Sequence, residues 1–421
     1  MEKKRILYTA YSIEDINLFI SLNGKSANDY MILTARLSSY LYAKYMQLSV
    51  TSMFHIPIKA SFYSLSRNKR NLEIDNRFYE QFKISDNYLR ISKELYLKYL
   101  KKNLDSDFDL VFHTGTARVF EQAVDSFYKN TKKIYWEAGP KGNIYFSKTG
   151  VNADADFRDI SANGKNIISN LFKDQCKISV KQIKKANPFI TFIFKLLELT
   201  YILFLNIALN KEMNEFIPKL RSKPITNKQN IKNKYILFID QVEADVNSTH
   251  HGASIEEIKN LMIKVIDFYV HSYKDIKILR RKHPRQNQTK VARLLSKSFP
   301  NKFIEDTNQN ISESINNAEL VITVNSTAGL ETLIHGKPIL VIGNSYYDKQ
   351  KGVIKKNQLD NFGKLSEELS KVGSESIEKN AKDFIESNFI PIDYRGKILF
   401  EVFGFDEFIS LCLSEESLWA K

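Results

Sequence analysis

Short apolar runs alternate along this chain with longer stretches in which apolar residues recur every three or four positions. The runs at residues 5–10, 110–113, 133–136, 235–239, 276–279, 320–324 and 339–342 are dominated by Ile, Leu, Val, Phe and Tyr. Continuous runs of this kind predict strands buried on both faces, as in a parallel sheet. Residues 255–273 place Ile258, Leu261, Met262, Val265, Ile266 and Tyr269 at helical spacing. Residues 30–48, rich in Leu, Tyr and Ala, predict a helix, as do residues 311–318 and the charged stretch after 359. Strands alternating with helices predict an α/β protein. Residues 211–234 are rich in Lys and Asn and contain Pro218 and Pro224, so they read as a linker.

The most informative stretch is 320–343. An apolar strand runs into Asn325-Ser326-Thr327, residue types that start helices. Gly336 stands where the helix should end, Pro338 prevents its resumption, and residues 339–342 form the next strand. Such a turn presents backbone N–H groups and two hydroxyls at the positive end of a helix, where α/β proteins hold phosphate. A plain capped βα junction has the same composition, so neighbouring features decide.

Two more strands end in suggestive chemistry. Residues 276–285 pass from a strand into Arg280-Arg281-Lys282-His283-Pro284-Arg285, where Pro284 stops the strand. Cations there suit a departing phosphate, and His283 can donate a hydrogen bond or proton as it leaves. Residues 235–245 run from a strand into Asp240, Gln241, Glu243 and Asp245, which offer a general base or nucleophile. In the first half, Thr114-Gly115-Thr116 forms a further strand-to-helix turn, and Glu137-Ala138-Gly139-Pro140 opens an irregular loop suited to an acceptor.

These pieces together resemble the capsule polysaccharide biosynthesis family, which includes the bacterial retaining β-Kdo glycosyltransferases. The resemblance rests on Gln241-Val242-Glu243-Ala244-Asp245, on Lys282-His283-Pro284, and on Asn325-Ser326-Thr327-Ala328-Gly329-Leu330-Glu331 with its His335-Gly336-Lys337-Pro338 tail. Residues 343–348, Glu137-Ala138-Gly139 and Gly150-Val151-Asn152-Ala153 extend it over roughly residues 110–350. Ala244, Val246 and Thr327-Ala328 depart from the usual pattern. The resemblance implies a GT-B arrangement: two Rossmann-like domains facing a cleft, here residues 1–225 and 233–395, with 396–421 packing back on the first. It implies transfer of Kdo or a related acidic sugar, with retention, from a CMP-activated donor to a lipid-linked or growing polysaccharide. Ser326 and Thr327 would cradle the phosphate and Asn325 shape the turn. Lys282, His283 and Pro284 would form the leaving-group site, and Glu331 would meet the ribose. Gln241 would orient the donor, Asp245 or Glu243 would serve the anomeric carbon, and Glu137 and Gly139 would lie on the acceptor side. No cofactor or metal is implied. A UDP-sugar transferase or epimerase, or a non-catalytic assembly or export partner, would carry similar turns.

Charge adds one consideration. The chain carries a formal +14, and residues 177–234 hold 12 Lys and Arg against three Asp and Glu. No helix-turn-helix, zinc or aromatic-basic pattern points to nucleic acid. An acidic substrate or the anionic face of the inner membrane fits better. Within this basic region, residues 189–209 are strongly apolar but interrupted by Lys195, Glu198 and Asn206, which argues against a span. They predict a helix buried in the first domain or lying on a membrane surface. The N-terminus has no secretory pattern, and Cys176 and Cys412 match no metal or redox spacing, so a cytoplasmic setting is expected.

Overall fold

Each apolar run forms a strand because neighbouring strands satisfy its backbone while helices cover both of its faces. The computed structural model describes residues 3–23, 26–57, 60, 73–75, 85–104, 107–115, 117–140, 142–158, 165–180, 188–209, 235–242, 250–272, 275–283, 289–306, 310–361, 371–393 and 400–419. Glu243, Asp245, Pro284, the linker 211–234 and the lysines immediately flanking the apolar helix lie outside these residues. The chain divides into two compact units, 1–151 with 166–217 and 388–421, and 152–165 with 218–387.

The first unit contains β1 (Arg5–Ala10), α1 (Ile13–Asn23), β2 (Asp29–Thr34), α2 (Leu37–Tyr45), β3 (Val50–Ser52), α3 (Asp86–Asn103), β4 (Leu110–His113), α4 (Val119–Phe127), β5 (Lys132–Ala138), β6 (Ile144–Ser147), α5 (Ile167–Gln175), β7 (Lys177–Val180) and α6 (Pro188–Leu209). Its main sheet has the order β3-β2-β1-β4-β5-β6. All neighbours are parallel except β5 and β6, which form a hairpin. Alternate residues feed two cores. Ile6, Tyr8, Leu110 and Phe112 face one side with α1 and α5, while Leu7, Leu33 and Val111 face the other with α3 and α4.

The second unit contains β8 (Tyr235–Ile239), α7 (Ile255–Ser272), β9 (Lys277–Arg281), α8 (Lys290–Ser298), β10 (Phe303–Glu305), α9 (Ile311–Asn316), β11 (Leu320–Thr323), α10 (Ala328–Ile334), β12 (Ile339–Val341), β13 (Val353–Lys355) and α11 (Ser374–Asn388). Its sheet order, β10-β9-β8-β11-β12-β13, repeats the first and is parallel throughout. Both units are therefore Rossmann-like, each with a topological switch point between its first and fourth strands.

Several readings are corrected. Residues 30–48 are not one helix: 29–34 form β2, held in register by β1, and helix begins only at Leu37. Burial of Ile32, Leu33 and Thr34 beside β1 outweighs the helical propensity of the stretch. Residues 152–165 cluster with the second unit, where Phe157 packs near Tyr346 and Phe384. Residues 388–395 join the first, through Ile390 bridging Ile144 and Phe389 against Tyr145. The last segment opens as a strand, β14 (Phe400–Phe403), antiparallel to β7, before α12 (Phe405–Ser414).

Phe405, Phe408, Ile409 and Cys412 of α12 enter the first core, where Phe408 meets Phe146 and Phe172. Phe408→Ala is expected to destabilise the first unit by about 3–5 kcal/mol through lost transfer energy and a cavity. Trp136 and Trp419 both lie in this unit, so tryptophan fluorescence during denaturant unfolding reads the change. A shift below about 1 kcal/mol would show that α12 is dispensable to this core.

Candidate functional site at the carboxyl edge of the second sheet

The site begins with Asp240, the residue after β8. It is buried and divides its carboxylate between two tasks. Oδ1 accepts the backbone N–H of Gln241 at 2.9 Å. Oδ2 receives Arg280 Nε at 2.8 Å, with Nη2 at 2.6 Å, and the Thr289 hydroxyl at 2.7 Å. Thr289 is the N-cap of α8 and also accepts from the Ala292 N–H at 2.9 Å. One carboxylate thus joins β8, β9 and α8.

This arrangement changes the meaning of the basic cluster. Arg280 is fully buried and also contacts Glu305 at 2.8 Å. Arg281 pairs with Asp306 at 3.0 Å, and Asp306 accepts the Ser314 hydroxyl at 2.7 Å. The expectation that these arginines face a ligand is therefore corrected: their charge is matched inside the protein. Lys282 and His283 follow, half-buried at the end of β9.

Gln241 crosses the switch point. Its Oε1 accepts the Asn325 backbone N–H at 3.3 Å, linking the ends of β8 and β11. Thr323 supports the turn, donating to the Ile239 carbonyl at 3.2 Å and accepting from the Ser326 N–H at 3.4 Å. Asn325 is buried and donates from Nδ2 to the Asn344 carbonyl at 3.1 Å. Ser326 Oγ accepts from the Ala328 N–H at 3.3 Å. Ser326 and Thr327 remain partly accessible at the start of α10, and Glu331 lies in its first turn. Gly336 has φ +67°, the left-handed C′ conformation expected of it.

Tyr347 braces the turn from behind. Its hydroxyl donates to the Ser326 carbonyl at 2.5 Å, and burial pushes its pKa well above the usual phenol range. The ring crosses Gly329 so closely that a Cβ there would lie 2.2 Å from the hydroxyl oxygen. Beside it, Asp348 accepts from the Ser345 hydroxyl at 2.6 Å and faces Lys355 at 3.0 Å and Arg158 at 3.5 Å. Burial lowers the Lys355 pKa, and Asp348 partly restores it. His251 pairs with Asp154 at 3.2 Å, while its carbonyl accepts the Asn344 N–H at 2.7 Å.

At the carboxyl edge of the second sheet Gln241 contacts Asn325, Lys282 and His283 follow β9, and Ser326, Thr327 and Glu331 stand at the start of α10. Sequence reading missed Asp240 as an organiser, and also Arg158, because their partners Arg280 and Asp348 are remote along the chain; it missed the nearer Asp348–Lys355 pair as well. Glu137 and Gly139 belong to the first unit. Glu137 closes β5, and Gly139 serves packing: a Cβ there would lie 2.4 Å from the Phe389 ring. The first unit's own switch point holds features the sequence did not announce. Arg118 and Arg36 lie 4.2 and 5.1 Å from the Tyr11 ring centroid, and each is paired, with Glu121 and Glu198 respectively.

Residues 200–379 match the family model described as capsule polysaccharide biosynthesis protein. The matched part is similar to the family that its motifs resemble, and it contains the ends of β8, β9 and β11 and the turn at Asn325-Ser326-Thr327. Protein FixF of Sinorhizobium fredii (strain NBRC 101917 / NGR234) is 29% identical over 131 residues, 31% of this chain and 31% of FixF. The capsule polysaccharide export protein KpsS of Escherichia coli is 28% identical over 138 residues, 31% of this chain and 34% of KpsS. The chain thus matches about a third of the length of each of these curated relatives. Among solved structures, the S. aureus MnaA-UDP co-structure is 12% identical, with 89% of this chain and 91% of that one covered and a TM-score of 0.35. Thermosulfurimonas dismutans KpsC, beta Kdo 2,7 transferase, is 13% identical, with 84% and 83% covered and a TM-score of 0.36.

Arg280→Met is expected to destabilise the second unit by about 3–5 kcal/mol, because Asp240 stays buried without its cation. Adding Asp240→Leu should recover part of that loss, since no buried charge is then stranded. Scanning calorimetry of the full chain measures both; a single variant as stable as wild type would remove the pair from its organising role.

Proposed function

We propose that this chain is a glycosyltransferase that moves Kdo or a related acidic sugar, with retention, from a CMP-activated donor to a lipid-linked or growing surface polysaccharide. The observation that carries the reading is the Gln241–Asn325 hydrogen bond across the second unit's switch point, with Ser326 and Thr327 immediately beyond it. Ligands of doubly wound sheets bind at such points, beyond the carboxyl ends of the strands. The similarity of residues 200–379 to the capsule polysaccharide biosynthesis family model supports the class of pathway.

In this reading, the Thr327 N–H and the hydroxyls of Ser326 and Thr327 hold the CMP phosphate. Lys282 offsets its charge, and His283 hydrogen-bonds the oxygen that departs from the anomeric carbon. Gln241, positioned by Asp240, orients the donor. Glu331 meets the ribose. Asp245 or Glu243 serves the anomeric carbon while the acceptor hydroxyl forms the new glycosidic bond. Polar groups and cations of the chain offset the charge on the leaving phosphate.

Titration calorimetry with CMP and with UDP tests the donor. CMP should bind, and Ser326→Ala should weaken it by about 10-fold, the value of one hydrogen bond to a charged group. Tight UDP binding without CMP binding would rule out the assignment. In a transfer assay with CMP-Kdo generated in situ, His283→Ala should lower turnover by about 10²–10⁴-fold with CMP affinity little changed. Unchanged turnover would take His283 out of the chemistry.

A further inference from the structure

Helix α6 has two apolar faces, and its own unit covers one of them. On the covered side, Phe194 meets Tyr45 at a ring-centroid distance of 6.1 Å and Tyr201 meets Phe54 at 5.8 Å. Glu198 is buried there, pairing with Arg36 and accepting the Ser38 N–H at 2.7 Å. On the other side, Phe189, Phe192, Ile193, Leu196 and Leu197 follow the spacing i, i+3, i+4, i+7, i+8. Their exposures are 68, 62, 36, 47 and 43%. At about 100° per residue, Glu198 lies about 180° around the helix from Phe189. Lys195 sits on the flank, 3.3 Å from Glu14.

These contacts set the helix's orientation. Rolling it to hide the outer stripe would pull Glu198 from Arg36 and Ser38 and strand a carboxylate among apolar groups. The stripe is thus held outward. A contiguous apolar surface of this kind marks an interaction site rather than ordinary scattered exposure.

We propose that this face docks α6 in the plane of an anionic lipid bilayer. Charge complementarity selects the occupant: the stretch 177–234 that contains the helix carries 12 Lys and Arg against three Asp and Glu. Apolar insertion and attraction to anionic headgroups reinforce each other in helices that lie at the interface. Among the described residues no helix is long and apolar enough to cross a membrane, so the helix lies along the surface. Through Glu198 and Arg36 the docked helix connects to Tyr11 at the first unit's switch point.

The test sediments the full chain with vesicles of phosphatidylglycerol and phosphatidylethanolamine, and with vesicles of phosphatidylcholine alone. The wild type should partition to the anionic vesicles. The double variant Phe192→Ser, Leu196→Ser should partition at least about 10-fold less, because apolar area is lost without a change of charge. Salt at about 1 M should also weaken wild-type binding by screening. Both side chains are exposed, so circular dichroism and the thermal midpoint should stay at wild-type values. Equal sedimentation of variant and wild type, or none for the wild type, overturns the proposal. So does a wild-type dimer that the variant converts to monomer in sedimentation velocity, since a second copy then covers the face. No nucleotide enters this assay, so a failed donor assignment leaves it intact.

Discussion

The contact between Asp240 and Arg280 underlies the geometry of the second unit. Removing two charges from water is costly, and an ion pair offsets that cost only when the remaining hydrogen-bonding groups are also satisfied. Here one carboxylate oxygen holds the Gln241 N–H, while the other takes Arg280 and the Thr289 hydroxyl. The pair therefore sets the start of the loop after β8, the path of β9 and the N-terminus of α8. Gln241 reaches Asn325 from a backbone position that Asp240 holds.

Around this anchor the edge is assembled by close packing. Tyr347 reaches the Ser326 carbonyl because Gly329 leaves room for its ring, and the buried hydroxyl keeps its proton. The Asn344 backbone ties the end of β12 to His251, and its carbonyl receives Asn325. Packed groups of this kind move little, which suits a site that must present N–H groups and hydroxyls in fixed directions.

The first unit uses the same device. Glu121 and Glu198 are buried carboxylates paired with arginines, and those arginines lie against Tyr11. Glu198 sits on an otherwise apolar helix, so one ionic contact gives α6 a defined inner side and leaves its outer stripe facing away. The charge that argued in the sequence against a membrane span is the one that orients the helix on the folded unit.

The sequence by itself determined β1, β4, β5, β8, β9, β11 and β12, the class of the fold and the turn at Asn325-Ser326-Thr327. These depend on local pattern: continuous apolar runs, capping residues, and glycine or proline at the junctions. It located β8, β9 and β11 and the polar residues at their ends. It misread residues 30–34 as helix, because only pairing with β1 distinguishes that short apolar run from a helical one. Tertiary structure alone decided which charges face inward. Arg280 and Arg281 read as ligand-binding cations beside His283, yet their partners, Asp240, Glu305 and Asp306, stand at or just beyond the ends of other strands and are separated from them by up to 40 residues. Long-range ion pairs and ring-over-glycine contacts leave no periodic trace in a chain, because they depend on which strands become neighbours.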